Sequence, residues 1–339
     1  MTKVGIDFGS SYTRVASLNP DGQVEVALDS KSHEFSAFWP SVISWNDASE
    51  IQTGWTTNTS ETLALKHLLN SARAERIEKG SKTWQRSELL AHFFSSLKIA
   101  LEEKLGSLPE GVTFSIPDHF EMEKEFRETL ESARFLRPVF ISESQAAMNA
   151  FGKFKNKKGC LTILDSGGGF SKISIFESNG QNSNCLVAET MTLGGEDLDK
   201  RIAQKILEEA SEDWGEDARE DKELSRSILI EAKKIKTALT HRGSVDIHFL
   251  DSKKKREFSR AFSRYEFMEW TRDLLDGLVP LWQGALKKAA LSPEKIDEVL
   301  LAGGSSRIPY LQELAAKTFQ KKPSSDLNVD QVVVLGTVL

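Results

Sequence analysis

Apolar residues alternate with small or polar ones over residues 4–8, 12–18, 24–29 and 41–45, in β-branched runs divided by turn residues such as Asn19-Pro20-Asp21-Gly22. This pattern predicts a β-meander at the start of the chain. The period then changes: Leu89, Leu90, Phe93, Phe94, Leu97, Ala100 and Leu101 recur at helical spacing between 87 and 105, which predicts an amphipathic helix. A strand at 112–116, a second helix at 121–135, a strand at 139–142 and a helix at 144–151 follow. That alternation of strand and helix predicts an α/β lobe.

A second meander is predicted from Leu161 through 173–177 and 186–192, after which Gly194-Gly195-Glu196-Asp197 opens a long helix. The acidic stretch 208–223 reads as a solvated helical face, and 224–240 as helix again. Strands at 245–250 and 257–262 flank Lys253-Lys254-Lys255-Arg256, so that basic run reads as a solvated hairpin turn. Ser263 is expected to cap a helix over 264–291 with Pro280 as a kink inside it. Ser292-Pro293-Glu294 caps another turn, a strand at 298–302 ends in Gly303-Gly304, and Pro309 is expected to start the last helix.

The two meanders begin alike. Val-Gly-Ile-Asp-Phe-Gly-Ser-Ser-Tyr-Thr at 4–13 and Ile-Leu-Asp-Ser-Gly-Gly-Gly-Phe-Ser at 163–171 each give an apolar strand, an aspartate and then small residues, with Asp7 and Asp165 lying 158 positions apart. Small residues after a strand allow a turn whose N–H groups can approach an anion closely. Taken alone, such a turn more often only reverses the chain. Here four elements agree: Asp7 with Gly9-Ser10-Ser11, Asp165 with Gly167-Gly168-Gly169, Gly194-Gly195, and Gly303-Gly304-Ser305-Ser306-Arg307. All stand at predicted strand ends or helix starts, where backbone donors are expected to be free. Two facing turns of this kind would make a phosphate clamp with two carboxylates for one metal ion.

Composition narrows the picture. The 339 residues exceed what one hydrophobic core usually serves, and 39% hydrophobic with 28% charged residues is ordinary for a soluble protein. No apolar run approaches a membrane span, the N-terminus enters a strand without a secretion-signal pattern, and a net charge of −6 argues against a nucleic-acid partner. A cytoplasmic protein with reduced thiols at Cys160 and Cys185 is the expectation.

With these motifs in order, the chain resembles the nucleotide-binding domain of the 70-kDa heat-shock chaperones, within the actin and sugar-kinase ATPase superfamily. Gly-Ile-Asp-Phe-Gly-Ser-Ser at 5–11 resembles the first phosphate motif and Leu-Asp-Ser-Gly-Gly-Gly at 164–169 the second. Ala-Leu-Lys-His-Leu-Leu at 64–69, Ser-Ile-Pro-Asp-His-Phe at 115–120 and Ile-Ser-Glu-Ser-Gln-Ala-Ala at 141–147 are similar to the segments of the catalytic lysine, the interdomain-signalling proline and a catalytic glutamate. Leu-Gly-Gly-Glu-Asp-Leu-Asp at 193–199, Ala-Gly-Gly-Ser-Ser-Arg-Ile-Pro at 302–309 and Asn-Val-Asp-Gln-Val-Val-Val-Leu-Gly at 328–336 complete the match.

The resemblance implies a two-lobed actin-like α/β fold, built of duplicated ribonuclease H-like domains around a deep nucleotide cleft. Lobe I would be 1–154, with its core at 1–31 and 86–154 and a trimmed upper subdomain at 32–85. Lobe II would be 155–339, with its core at 155–193 and 272–339 and an upper subdomain at 194–271. It implies that Asp7 and Asp165 hold Mg²⁺ through water, that Gly9, Ser10, Ser11, Tyr12, Gly167, Gly168 and Gly169 cradle the phosphates of ATP or ADP, and that Lys66, Glu143 and Asp165 serve hydrolysis. Lys236 and Thr240 would reach ribose and adenine, Arg307 would stack on the base, and Gly194, Gly195, Gly303, Gly304, Ser305 and Asp330 would line the nucleoside pocket. Pro117 would signal between domains.

Several positions depart from the family. Phe170 stands where it carries a threonine that meets the γ-phosphate. Lys172 replaces an aspartate that helps hold a monovalent cation, so its ammonium is expected to replace K⁺, with a side chain swung out to solvent as the alternative. Lys233 replaces an adenosine-binding glutamate, and Glu125 a relay arginine, with Arg127 two residues on. The chain stops at Leu339 without the peptide-binding domain, so co-chaperone, exchange factor or client would be engaged through domains outside it. The leading expectation is an ATP-binding, slowly hydrolysing conformational switch. The alternatives are a pseudo-ATPase interaction module, an actin-like filament subunit and, weakest, a small-molecule kinase.

Overall fold

The strand Lys3–Phe8 is buried along nearly its whole length, as an apolar run with a paired strand on each side must be. It pairs in parallel with Thr113–Ile116, which pairs in parallel with Val139–Ser142, and antiparallel with Tyr12–Leu18. Val24–Val26 and Trp39–Pro40 both add to Tyr12–Leu18. The structure is a computed structural model that describes residues 2–26, 39–45, 50–54, 62–69, 76–79, 82–215, 217–251 and 255–339. The end of the third expected strand (27–29), much of the expected upper subdomain at 32–85, and Lys253 and Lys254 lie outside those residues.

The chain divides into two compact units: Met1–Ile163, Ser174–Ala188 and Ser325–Leu339 form one, and Leu164–Ile173 with Glu189–Ser324 the other. In the first, helix Arg86–Leu105 starts at a capping box in which the Gln85 N–H donates to Glu88 at 2.7 Å, and ends at Gly106 with φ of 77°. Its apolar face delivers Phe93 and Phe94 into a ring cluster with Phe8, Phe114, Phe126 and Phe135. Phe94–Phe114 and Phe114–Phe135 meet edge to face, at 5.9 and 5.1 Å between centroids. Each such buried ring stabilises the fold by about 1.5–3 kcal/mol.

The C-terminal segment completes this unit. A short helix, Val332–Gly336, follows the one begun by Pro309, which is therefore not the last. It lies so close to helix Glu143–Lys155 that a Cβ added to Gly336 would stand 1.7 Å from the Ala146 carbonyl oxygen. Because that neighbour is backbone, it cannot swing aside. Gly336→Ala is expected to lower unfolding free energy by about 3 kcal/mol, the upper end of overpacking costs, with the urea midpoint as the readout.

In the second unit, Ser263 caps a helix as expected, through a reciprocal box with Glu266. The continuous helix expected over 264–291 is two helices, Arg264–Asp276 and Leu278–Lys288, and the break falls at Gly277 rather than Pro280. Pro280 is the third residue of the second helix, where a missing N–H leaves no helical bond unmade. Strands Ser244–Asp251 and Arg256–Ser263 pair antiparallel, and Asp251 meets Arg256 at 2.8 Å. The acidic stretch continues helix Gly195–Trp214 and then enters a short 3-10 turn, Ala218–Glu220, before helix Lys222–His241. A further four-stranded sheet, not confined to this unit, orders Ser183–Met191, Ser171–Asn179, Lys158–Ser166 and Glu298–Ala302. The fold is thus mixed α/β, as the alternation of patterns predicts. Among the described residues no helix is long and apolar enough to cross a membrane, and Cys160 and Cys185 are free thiols.

Candidate functional site

In the first unit the expected residues gather at the C-terminal ends of three parallel strands. Asp7 stands opposite Ser115 in register, and the Ser115 hydroxyl donates to an Asp7 carboxylate oxygen at 2.7 Å. Ile116 stands opposite Ser142, and Glu143 opens the next helix, whose cap is the Ser142 hydroxyl accepting from the Gln145 N–H. Lys66, on the 3-10 turn Lys66–Leu69, reaches Glu143 in an ion pair with side-chain exposures of 7% and 4%. Both side chains are thus withdrawn from solvent. Pro117 leads from the middle strand into the loop where Asp118 accepts from Ser144.

The turn after Asp7 is closed by the Gly9 N–H donating to the Tyr12 carbonyl at 3.1 Å. Among the described residues the N–H groups of Ser10 and Ser11 at its tip have no backbone acceptor, as an anion-binding turn requires. Arg14 stands directly across the strand pair from Asp7 and reaches Asp330 at 3.4 Å.

The second unit repeats the device. The Gly167 N–H donates to the Phe170 carbonyl at 2.9 Å, and the N–H groups of Gly168 and Gly169 at the tip have no backbone acceptor among the described residues. Two of the expected motifs, Gly194-Gly195 and Gly303–Arg307, converge on this turn, together with Lys236. Gly303, with φ of 76°, lies so near that a Cβ there would be 2.4 Å from an Asp165 carboxylate oxygen. The Ser305 hydroxyl donates to the Gly167 carbonyl at 3.0 Å. A Cβ on Gly195 would meet Ser305 Oγ at 2.6 Å and Lys236 Nζ at 2.7 Å. Gly304 and Arg307 bound the 3-10 turn Gly304–Arg307 that carries Ser305.

One expectation at this site needs correction. The first donors of helix Gly195–Trp214 are not free: Gly195 N–H donates to the Gly167 carbonyl at 3.0 Å, Glu196 N–H to the Gly168 carbonyl at 2.7 Å, and Gly194 N–H to Asp197 at 3.0 Å. The helix start therefore fixes the shape of the glycine turn. Lys236 donates to the Gly195 carbonyl at 2.7 Å and pairs with Asp199 at 2.8 Å. Burial pushes the Lys236 ammonium down and the Asp199 carboxyl up from their ordinary values, and their mutual attraction opposes both shifts. Thr240, one turn beyond Lys236, donates its hydroxyl to the Thr237 carbonyl.

The departures have physical places too. Phe170 is half-buried beside the turn, and Lys172 is 7% exposed, so it is not swung out to solvent. Glu125 is no relay cation: its two oxygens accept from Arg86 Nε and Nη2, both at 2.8 Å. Arg127 lies over the Phe140 ring at 4.5 Å and donates to the Pro138 carbonyl. Sequence reasoning missed Asp199 as the partner of Lys236 and Arg14 as the residue facing Asp7. The second was discoverable, since Arg14 follows Asp7 by the same seven positions that separate Lys172 from Asp165.

The carboxylates of Asp7 and Asp165 are hard oxygen donors at the two turns and suit Mg²⁺, which keeps most of its water and shares it with phosphate. Among the described residues no three His, Cys, Asp or Glu side chains gather into a metal cluster.

The family model described as Hsp70 protein matches residues 61–339. The chain is similar to the chaperone protein DnaK of Thermosipho africanus, 28% identical over 350 positions, and of Thermotoga neapolitana, 28% over 352. DnaK of Mycoplasmopsis synoviae is 27% identical over 352. Each alignment takes in 99% of this chain but only 57–58% of the relative, so the chain spans a little over half their length. Because that family model spans well over half of the sequence, at residues 61–339, the chain belongs to the Hsp70 family.

Proposed function

We propose that the chain binds ATP with Mg²⁺, hydrolyses it slowly to ADP and phosphate, and uses the nucleotide state as a conformational switch. The observation that carries this reading is the convergence of Gly194, Gly195, Gly303, Ser305 and Lys236 on the Gly167–Gly169 turn, a cradle that side chains other than hydrogen would fill. Ser10, Ser11, Gly168 and Gly169 would present N–H groups to the phosphates, with Gly9, Tyr12 and Gly167 setting the turns. Asp7 and Asp165 would hold Mg²⁺, which when bound neutralises phosphate charge. Lys66 would add charge beside the γ-phosphate, and Glu143 would orient the attacking water. Such transfer needs chiefly positioning and neutralisation.

Lys236, Thr240, Arg307, Gly304 and Asp330 would form the nucleoside side of the site, and Pro117 would carry the state of the phosphates to a neighbouring domain. A cytoplasmic setting, with a co-chaperone, an exchange factor and a client met through segments outside this chain, fits the reading. The filament-subunit and kinase alternatives are not favoured by the family match.

Phe170 brings no hydroxyl to the second turn, so turnover is expected to be slow. Single-turnover assays with γ-labelled ATP are expected to show phosphate release, and a Lys66→Met variant is expected to lower that rate at least about 100-fold. ATP binding with no ADP formed by the parent chain would instead support the pseudo-ATPase reading.

A further inference from the structure

The two hairpins share more than their aspartates. In the first, the turn closes from Gly9 N–H to the Tyr12 carbonyl, and Asp7 stands opposite Arg14. In the second, the turn closes from Gly167 N–H to the Phe170 carbonyl. Counted as in the first hairpin, this closure would set Ser166 opposite Ser171 and Asp165 opposite Lys172, and the Ser171 hydroxyl donating to Ser166 Oγ at 3.3 Å accords with that pairing. Opposed residues project from the same face about 5 Å apart. Each aspartate thus faces a cation across its own hairpin.

Both cations are withdrawn from solvent. The Lys172 side chain is buried, and that of Arg14 is 15% exposed, with its guanidinium reaching Asp330. Arg14 Nη1 also lies 4.0 Å from where a Cβ on Gly9 would stand, beside the phosphate turn itself. A covalently attached cation beside a phosphate neutralises charge without the mass action that a diffusible ion needs.

Building on the nucleotide-binding reading, we infer that Arg14 and Lys172 are built-in counter-cations of the two phosphate-binding hairpins. They let this chain hold nucleotide phosphate without a bound monovalent cation and with weak dependence on Mg²⁺. Neither residue is required to change protonation for this role.

Calorimetric titration of the intact chain with ADP tests it, in K⁺, Na⁺ or choline chloride at equal ionic strength, each with Mg²⁺ or with EDTA. The parent Kd is expected to vary less than about threefold among the monovalent cations and to weaken less than about tenfold in EDTA. Lys172→Met and Arg14→Met are each expected to weaken binding in EDTA by about 30-fold, and Lys172→Arg to restore it. Loss of parent binding by more than about tenfold in EDTA, or on replacing K⁺, overturns this inference and leaves the nucleotide-binding reading standing. Methionine variants that fold, by thermal melt, and bind ADP in EDTA like the parent also overturn it. If neither variant folds, the salt and EDTA series on the parent decides alone. Failure of ADP and ATP to bind in every buffer removes the nucleotide-binding reading, and this inference with it.

Discussion

Gly194→Ala is expected to lower nucleotide affinity at least about 100-fold while the chain stays folded. The added Cβ would stand 2.3 Å from the Gly168 carbonyl oxygen and 2.8 Å from the Gly169 carbonyl carbon. Neither is the end of a flexible side chain, so relief comes only if the glycine turn moves. That turn is also held by the Glu196 N–H at 2.7 Å, and pushing it out by a fraction of an ångström misaims the N–H groups of Gly168 and Gly169. Displacements near 1 Å cost about 10²-fold in positioned chemistry. The backbone of Gly194 is extended, with φ of −152°, which alanine adopts without strain, so the fold should survive. Retained circular dichroism with lost nucleotide binding is the expected pair of results; unaltered affinity would show that the turn does not hold phosphate.

Glu143→Ala is expected to be the most destabilising single change at the first hairpin's side of the site. It takes from the Lys66 ammonium the carboxylate it meets in a buried ion pair. Breaking a buried pair from one side costs about 3–5 kcal/mol, whereas replacing both partners with apolar groups of similar size is often neutral. The double variant Lys66→Met with Glu143→Leu should therefore recover most of the stability and none of the hydrolysis. Urea denaturation and single-turnover assays on the three proteins separate the two effects. Equal stability of the Glu143→Ala variant and the parent would contradict the buried pairing.

The parts of this fold that could be read in advance are those governed by local rules. Alternating apolar runs ending in an aspartate and small residues specify a hairpin, and both hairpins close as their spacing requires. Helix Arg86–Leu105 follows from its apolar period and from Gln85 and Glu88 at its start. The helix break was misplaced because proline is the stronger breaker in a helix interior, yet Pro280 falls in a first turn and Gly277 ends the preceding helix.

What stayed hidden depends on contacts distant in sequence. Nothing near position 125 announces that Glu125 will clamp Arg86, 39 positions away. Nor does the start of helix Gly195–Trp214 show that its first N–H groups will meet the Gly167 and Gly168 carbonyls in place of a ligand. The candidate site was legible as a set of residues because each motif carries its own turn chemistry. Its internal support through Asp199 and Ser115 was not, because those partners come from other strands and helices.

The central claim is that these two turns take up an adenine nucleotide. Isothermal titration of the intact parent chain with ATP and with ADP in Mg²⁺ buffer tests it most directly. The account predicts saturable binding of one nucleotide per chain for each, lost in the Gly194→Ala variant; an absence of binding heat with both nucleotides, checked by equilibrium dialysis, would contradict it.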